Sequence, residues 1–332
     1  MKRPRTFWHL AEARRKPSAY EIASSRLLHY PAHGFEVNVP LSSWYATYQQ
    51  GSPFRCSDWD GFRDPRETTY SHYTELEARK ETYVAGLLDA LDVTGYDRNL
   101  SLSWLAVLER VLAPLRYPAH GLQMAAAYVG HMAPGGRVVI AAALQAGDEM
   151  RRVHLLAYRM RQIQVTYPEF APASKAAWQD DPLWQPLRQL IERLLVTYDW
   201  GEAFVALNMV VKPALDELFM SQFAGLAASQ GDEILAKMFL SLGQDCAWHR
   251  EWSRALLDHA LADDPKNQSW LDSWSEKWRP EVARAVDAFA PVWDQLPDRW
   301  PRPAFAEVRA AVDSAGLRHR AGPAPGSGEG GR

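Results

Sequence analysis

Cysteine is scarce in this chain: Cys56 and Cys246 are the only two among 332 residues, and no CxxC pair occurs. That count excludes a disulfide-stapled secreted fold. Long apolar runs are missing too. The longest candidates, 138–146 and 203–211, fall well short of the roughly 18 residues needed to cross a bilayer and suit buried helices. The opening MKRPRTFWHLAEARRK lacks the apolar stretch and cleavage site of a secretory signal, so a cytoplasmic location is expected. Neither sign of charge dominates, since 37 basic and 40 acidic residues leave a net charge of -3. Nothing global therefore draws the chain to nucleic acid or to an anionic membrane. There is no internal repeat, no Gly-rich phosphate loop and no credible nucleophile triad.

What is present is apolar bulk, with many aromatic rings. Hydrophobic residues make up 47% and charged residues 23%, the balance of a globular protein with a substantial core. In residues 1–65, Pro4, Pro17, Pro31, Pro40, Pro53 and Pro65 break any helix before it matures, while Trp8, Trp44, Phe54, Trp59 and Phe62 still need burial. This reads as an extended arm that wraps its own bundle or lies across a partner, and we assign part of it to subunit contact. Residues 66–320 carry helical patterning. Helices are expected from near Thr68 to Gly95, over 100–115 and 117–132, and from the Pro134–Gly136 turn to about Thr166. The stretch 168–186 reads as loop with short helical turns, followed by an amphipathic segment at 187–197. A helix over 200–228 is capped by Asp199 and kinked by Pro213, and another follows Gly231 to about Ala262. Trp270, Trp274 and Trp278 recur every four residues on a further helix, a stripe that suits either core or a subunit contact. The tail 321–332 is small, polar and expected to be disordered.

The two long helices carry the informative residues. In a carboxylate-rich four-helix bundle, two helices each present Glu and His three residues apart on the face toward a pair of metals. Here Glu149 is followed by Arg152 where His is needed, and His249 is preceded by Cys246 where Glu is needed. Asp148 and Asp245 stand directly before Glu149 and Cys246, so the two frames are alike. The separations 149 to 246 and 152 to 249 are both 97 residues. The segment 117–132 has no Asp or Glu at all, and Lys212 sits in the apolar stretch of the helix whose carboxylates are Glu202, Asp216 and Glu217. The expected architecture is all-α and ferritin-like, similar to the ribonucleotide reductase small subunit. Its metal positions are degenerate: no metal, cofactor or catalytic residue is expected in this chain. Arg152 is expected to be held by a buried carboxylate.

Four segments in order carry a family resemblance: WHLAEARRKPSAYEI from Trp8, PLRYPAHGLQMAAAYVGHMAP from Pro114, TYDWGEAFVALNMVVKP from Thr197 and EKWRP from Glu276. By these the chain resembles the hydroxylase beta subunit of bacterial multicomponent monooxygenases of the toluene and aromatic branch. In that family the alpha subunit holds a carboxylate-bridged di-iron centre on two helices with motifs similar to Asp-Glu-x-Arg-His. Asp148, Glu149 and Arg151 match one copy and Asp245 and His249 the other. The departures at Arg152 and Cys246 point to beta. The resemblance implies assembly with alpha and gamma chains and a second copy of itself in an (alpha-beta-gamma)2 complex. Such a complex hydroxylates aromatics or alkenes with O2, using NADH-derived electrons delivered by a Rieske ferredoxin, under a small effector protein. The alternative from another class is a self-sufficient ferritin-like metalloprotein using Glu149, His249, Glu202 and Glu217.

Overall fold

A computed structural model of the chain describes residues 18, 20, 21, 39–296 and 301–317. Among them there are helices and no strand. We number the helices α1 (39–50), α2 (Tyr70–Thr94), α3 (102–131), α4 (Gly136–Thr166), α5 (Ser174–Asp180), α6 (Gln185–Leu195), α7 (200–229), α8 (Glu233–Asp263), α9 (Asn267–Asp287), α10 (Ala290–Asp294) and α11 (Phe305–Leu317). Two helical hairpins make the bundle. α3 and α4 pack along their length after the turn at Pro134–Gly136, and α7 and α8 pair after Gly231, whose φ of 82° is a left-handed position that favours glycine. α2 lies across α4 and α8.

Local chemistry sets the helix starts. Ser101, Asp199 and Asp232 accept from the backbone N–H of Trp104, Glu202 and Leu235, each satisfying a donor that a helix N-terminus leaves unpaired. The expected break between 115 and 117 is absent, and α3 runs through Pro114 and Pro118 as one element. Pro114 has no N–H to give to the carbonyl four residues earlier, that of Arg110. The Trp184 indole, just before α6, donates to that same oxygen at 2.9 Å, and a π turn at Leu108–Leu112 absorbs the misfit. Pro213 is handled similarly. Two π stretches, Val205–Val211 and Glu217–Gln222, flank it and re-aim the residues between them.

The arm is described only in part. Residues 1–17, 19 and 22–38 lie outside the described residues, but its second half is part of the bundle. Phe54 and Phe62 are buried, and Phe54 stacks beside Trp200 and Phe204. Ser52 donates to Asp199, and Asn267 clamps the Arg55 backbone from both sides. Each large apolar side chain so buried is worth about 1.5–3 kcal/mol before strain and entropy. The Trp stripe divides as well: Trp274 and Trp278 are core and only Trp270 is open to solvent, so the subunit-contact reading fails for two of its three rings. Trp293 is also fully buried. Trp300 and the tail 321–332 lie outside the described residues. No described helix is long and apolar enough to cross a membrane.

Candidate functional site

α4 and α8 turn polar stripes inward at helical spacing: Gln145, Asp148, Glu149, Arg152 and Arg159 on one, Asp245, Cys246, His249 and Ser253 on the other. The π-flanked centre of α7 adds Lys212 and Asp216. All are buried. Such a concentration of charge is tolerated inside a bundle only when every member is paired.

The pairing is nearly complete. Arg152 reaches Glu149 at 3.0 Å, Asp216 at 3.2 Å and donates to Cys246 Sγ at 3.0 Å. Lys212 Nζ reaches Glu149 at 2.6 Å and donates to both Asp216 oxygens at 2.9 Å, with Cys246 Sγ at 3.7 Å. Two carboxylates and two cations thus neutralise one another in a compact centre. Burial opposes both cations, but the acids around them outweigh it and hold Arg152 and Lys212 charged well above neutral pH. Burial likewise opposes the Asp216 carboxylate, and Lys212 and Arg152 override it, holding its pKa well below the usual range. At Cys246 the same two cations are outweighed. Burial first, then the Asp216 charge, push its thiol up to about 12.

A second layer lies toward α2. Tyr73 donates to Asp148 at 2.8 Å, and Asp148 meets His249 Nε2 at 2.7 Å. Burial, followed by the Lys212 charge, lowers His249 to about 3, which favours the neutral ring. Its Nδ1 is buried without a partner among the described residues. Asp245 pairs with Lys80 and, at 2.8 Å, with Arg151, which also meets Glu81 and Glu77. Among the described residues, the trio of metal-type side chains whose ligand atoms lie within 4.8 Å of one another is Glu77, Asp148 and Asp245. Lys80 and Arg151 already sit against it.

The expected positions Glu149, Arg152 and Cys246 are therefore brought together, with His249 one helical turn from Cys246. Arg152 is held by Glu149, as expected, and by Asp216. Glu202 and Glu217 are not part of the centre: Glu202 serves Lys277 and Trp278 of α9, and Glu217 bonds Gln222 and lines an outer groove of about 660 Å³. The four-ligand set of the metalloprotein alternative does not exist as a site. Sequence reasoning did not foresee Tyr73, Glu77 and Lys80, or the part played by Asp216. The last stood in plain view as the i+4 partner of Lys212.

Fold and centre together define a ferritin-like helical bundle with a buried cluster of ion pairs between its long helices. The methane/phenol/alkene hydroxylase family model matches residues 44–264, and the chain belongs to that family. It is 38% identical over 293 residues, 86% of this chain and 89% of the relative, to the hydroxylase component subunit beta of the toluene-4-monooxygenase system of Ectopseudomonas mendocina. It is 26% identical over 328 residues, 95% and 93% of the two chains, to the phenol 2-monooxygenase oxygenase component DmpL of Pseudomonas sp. strain CF600. A solved structure of toluene 4-monooxygenase, with toluene bound in the resting active site, superposes with a TM-score of 0.81 at 36% identity, covering 87% of this chain and 97% of that one. The chain is homologous to a hydroxylase beta subunit.

Proposed function

We propose that this chain is the non-catalytic beta subunit of an aromatic monooxygenase hydroxylase, assembling with a di-iron alpha chain, a gamma chain and a second copy of itself. The carrying observation is the neutralised centre of Glu149, Arg152, Lys212, Asp216 and Cys246. A pair of metal ions does not fit these residues. Two cations already balance the two carboxylates, one of the Glu-x-x-His pairs ends in Arg152, the other begins in Cys246, and 117–132 offers no carboxylate. Glu149 and Asp216 are occupied holding the bundle together. Hydroxylation of an aromatic or alkene by O2 then belongs to the alpha chain, with NADH-derived electrons arriving through a Rieske ferredoxin and an effector protein gating turnover.

Homology to a component named as a hydroxylase subunit supports the assembly. Part of the arm is what we assign to partner contact; Tyr20, Glu21 and 39–65 already serve this chain's own core. The test is reconstitution. Alpha and gamma chains produced with this chain should assemble and hydroxylate toluene in the presence of reductant proteins, and without it should lose both size and activity. Turnover by this chain alone with ferredoxin and reductase would refute the reading.

A further inference from the structure

We propose that the outer face of the α3–α4 hairpin is a docking surface for another subunit, whose apposed surface is apolar and carries carboxylates. The inference rests on the assembly proposed above and names the face that makes it. From Ala113 to His131, α3 has no Asp, Glu or Lys; α4 has no Lys and only two acids, Asp148 and Glu149, both buried. The solvent side of this helix pair therefore presents neither carboxylate nor ammonium. A helix side turned to water ordinarily carries both. The solvent side of α9 in the same molecule does, with Asp272, Glu276, Lys277, Glu281, Arg284 and Asp287 all at least partly exposed.

Other residue types stand in their place. On α3, His120, Met124, Ala127 and His131 are exposed at steps of four, three and four residues, so they form one line along the helix. On α4, Met150, His154, Tyr158, Arg161 and Val165 form a second. Met124, Met150, Tyr158 and Val165 are 42%, 48%, 45% and 73% exposed. The two lines run on adjoining helices, which approach closely enough at Gly130 for an added Cβ to stand 3.2 Å from that of Ala142. Enrichment in Met, aromatic rings and Arg with loss of Lys, Glu and Asp is the composition of an interface core and not of a solvated helix pair.

Charge selects the partner. Arg161 meets Gln164 at 3.4 Å, and among the described residues no carboxylate pairs with it or with His120 or His154. A protein surface with acids at these points satisfies them, whereas a face without lysine offers too little positive charge for a nucleic acid or an anionic membrane. Size is adequate as well. Helices of 19 and 31 residues, each about 10 Å wide, offer roughly 700 Å², close to the ~800 Å² per partner of a standard interface.

The experiment is hydroxyl-radical footprinting of the wild-type full chain, free and in its complex with the alpha and gamma chains. Met124, Met150 and Tyr158 should be oxidised in the free chain and lose that oxidation in the complex, while Trp270, exposed on α9, should be oxidised equally in both. In the complex, Met150→Glu should weaken assembly about a hundred-fold by setting like charges together, and Met150→Lys about ten-fold or less. Trp270→Glu should leave assembly unchanged. Equal oxidation of the face in free and assembled chain, protection already present in the free chain, which would mean that its own residues cover the face, or a lysine variant weaker than the glutamate variant would each overturn the proposal. A wild-type complex that forms with the face unprotected sinks this inference alone; a wild-type chain that joins no complex sinks the proposed function with it.

Discussion

Arg152 is the residue on which the buried centre depends most. It touches Glu149, Asp216 and Cys246 at once and is almost without solvent contact. Arg152→Ala leaves two carboxylates facing Lys212 alone, and unpairing a buried charge costs about 3–5 kcal/mol. A clear fall in the Tm of the variant is expected; a value equal to wild type would mean that water reaches the site. Cys246 gives a second test. Its thiol, pushed up to about 12, should ignore a disulfide reagent at pH 8 in the native protein, while the half-buried Cys56 reacts first. Release of two thiols in native buffer would contradict the burial, and release of the second only in denaturant is the expected pattern. The degenerate ligand positions were legible in the sequence because Glu149 with Arg152, and Cys246 with His249, obey a fixed helical spacing. Tyr73 and Lys80 were not legible. Their roles come from a helix docking 75 and 165 residues away in sequence, on Asp148 and Asp245, which no local pattern encodes.

At the scale of elements, the long helices α4 and α8 were readable from periodicity and caps, whereas α3 was not. Prolines at 114 and 118 argue locally for a boundary, and only the indole of Trp184, 74 residues from Arg110, supplies the hydrogen bond that lets the helix continue. Trp184→Phe keeps an aromatic ring against Phe219 and Phe289 but removes the donor. Leaving the Arg110 carbonyl unsatisfied should cost about 1–3 kcal/mol, seen as a lower urea midpoint with unchanged m-value. An unchanged midpoint would show that α3 does not need this bond. The π stretches of α7 were equally hidden, since Pro213 announces a distortion without stating that it will be split between two flanking turns. That split delivers Lys212 and Asp216 to the same centre.

The whole molecule turns on where the arm divides. An all-α bundle was readable from the helical stripes, but a division at residue 65 was not a packing boundary, because Pro and aromatic content look the same whether a segment covers its own core or a neighbour. Removing residues 1–17 should leave the helical circular dichroism intact and weaken assembly, whereas removing 1–65 strips Tyr20, Phe54, Phe62 and Asp64 from the interior and should destabilise the bundle itself. Equal stability of both truncations would contradict this division. The central claim, that the chain is a metal-free member of a larger hydroxylase, is tested most directly by native mass spectrometry of the intact complex with subunit ejection. The chain should leave at the mass of its 332 residues with no metal, from an assembly whose remaining chains retain the iron. A chain that leaves carrying iron, or one that is found without partner subunits, would contradict the account.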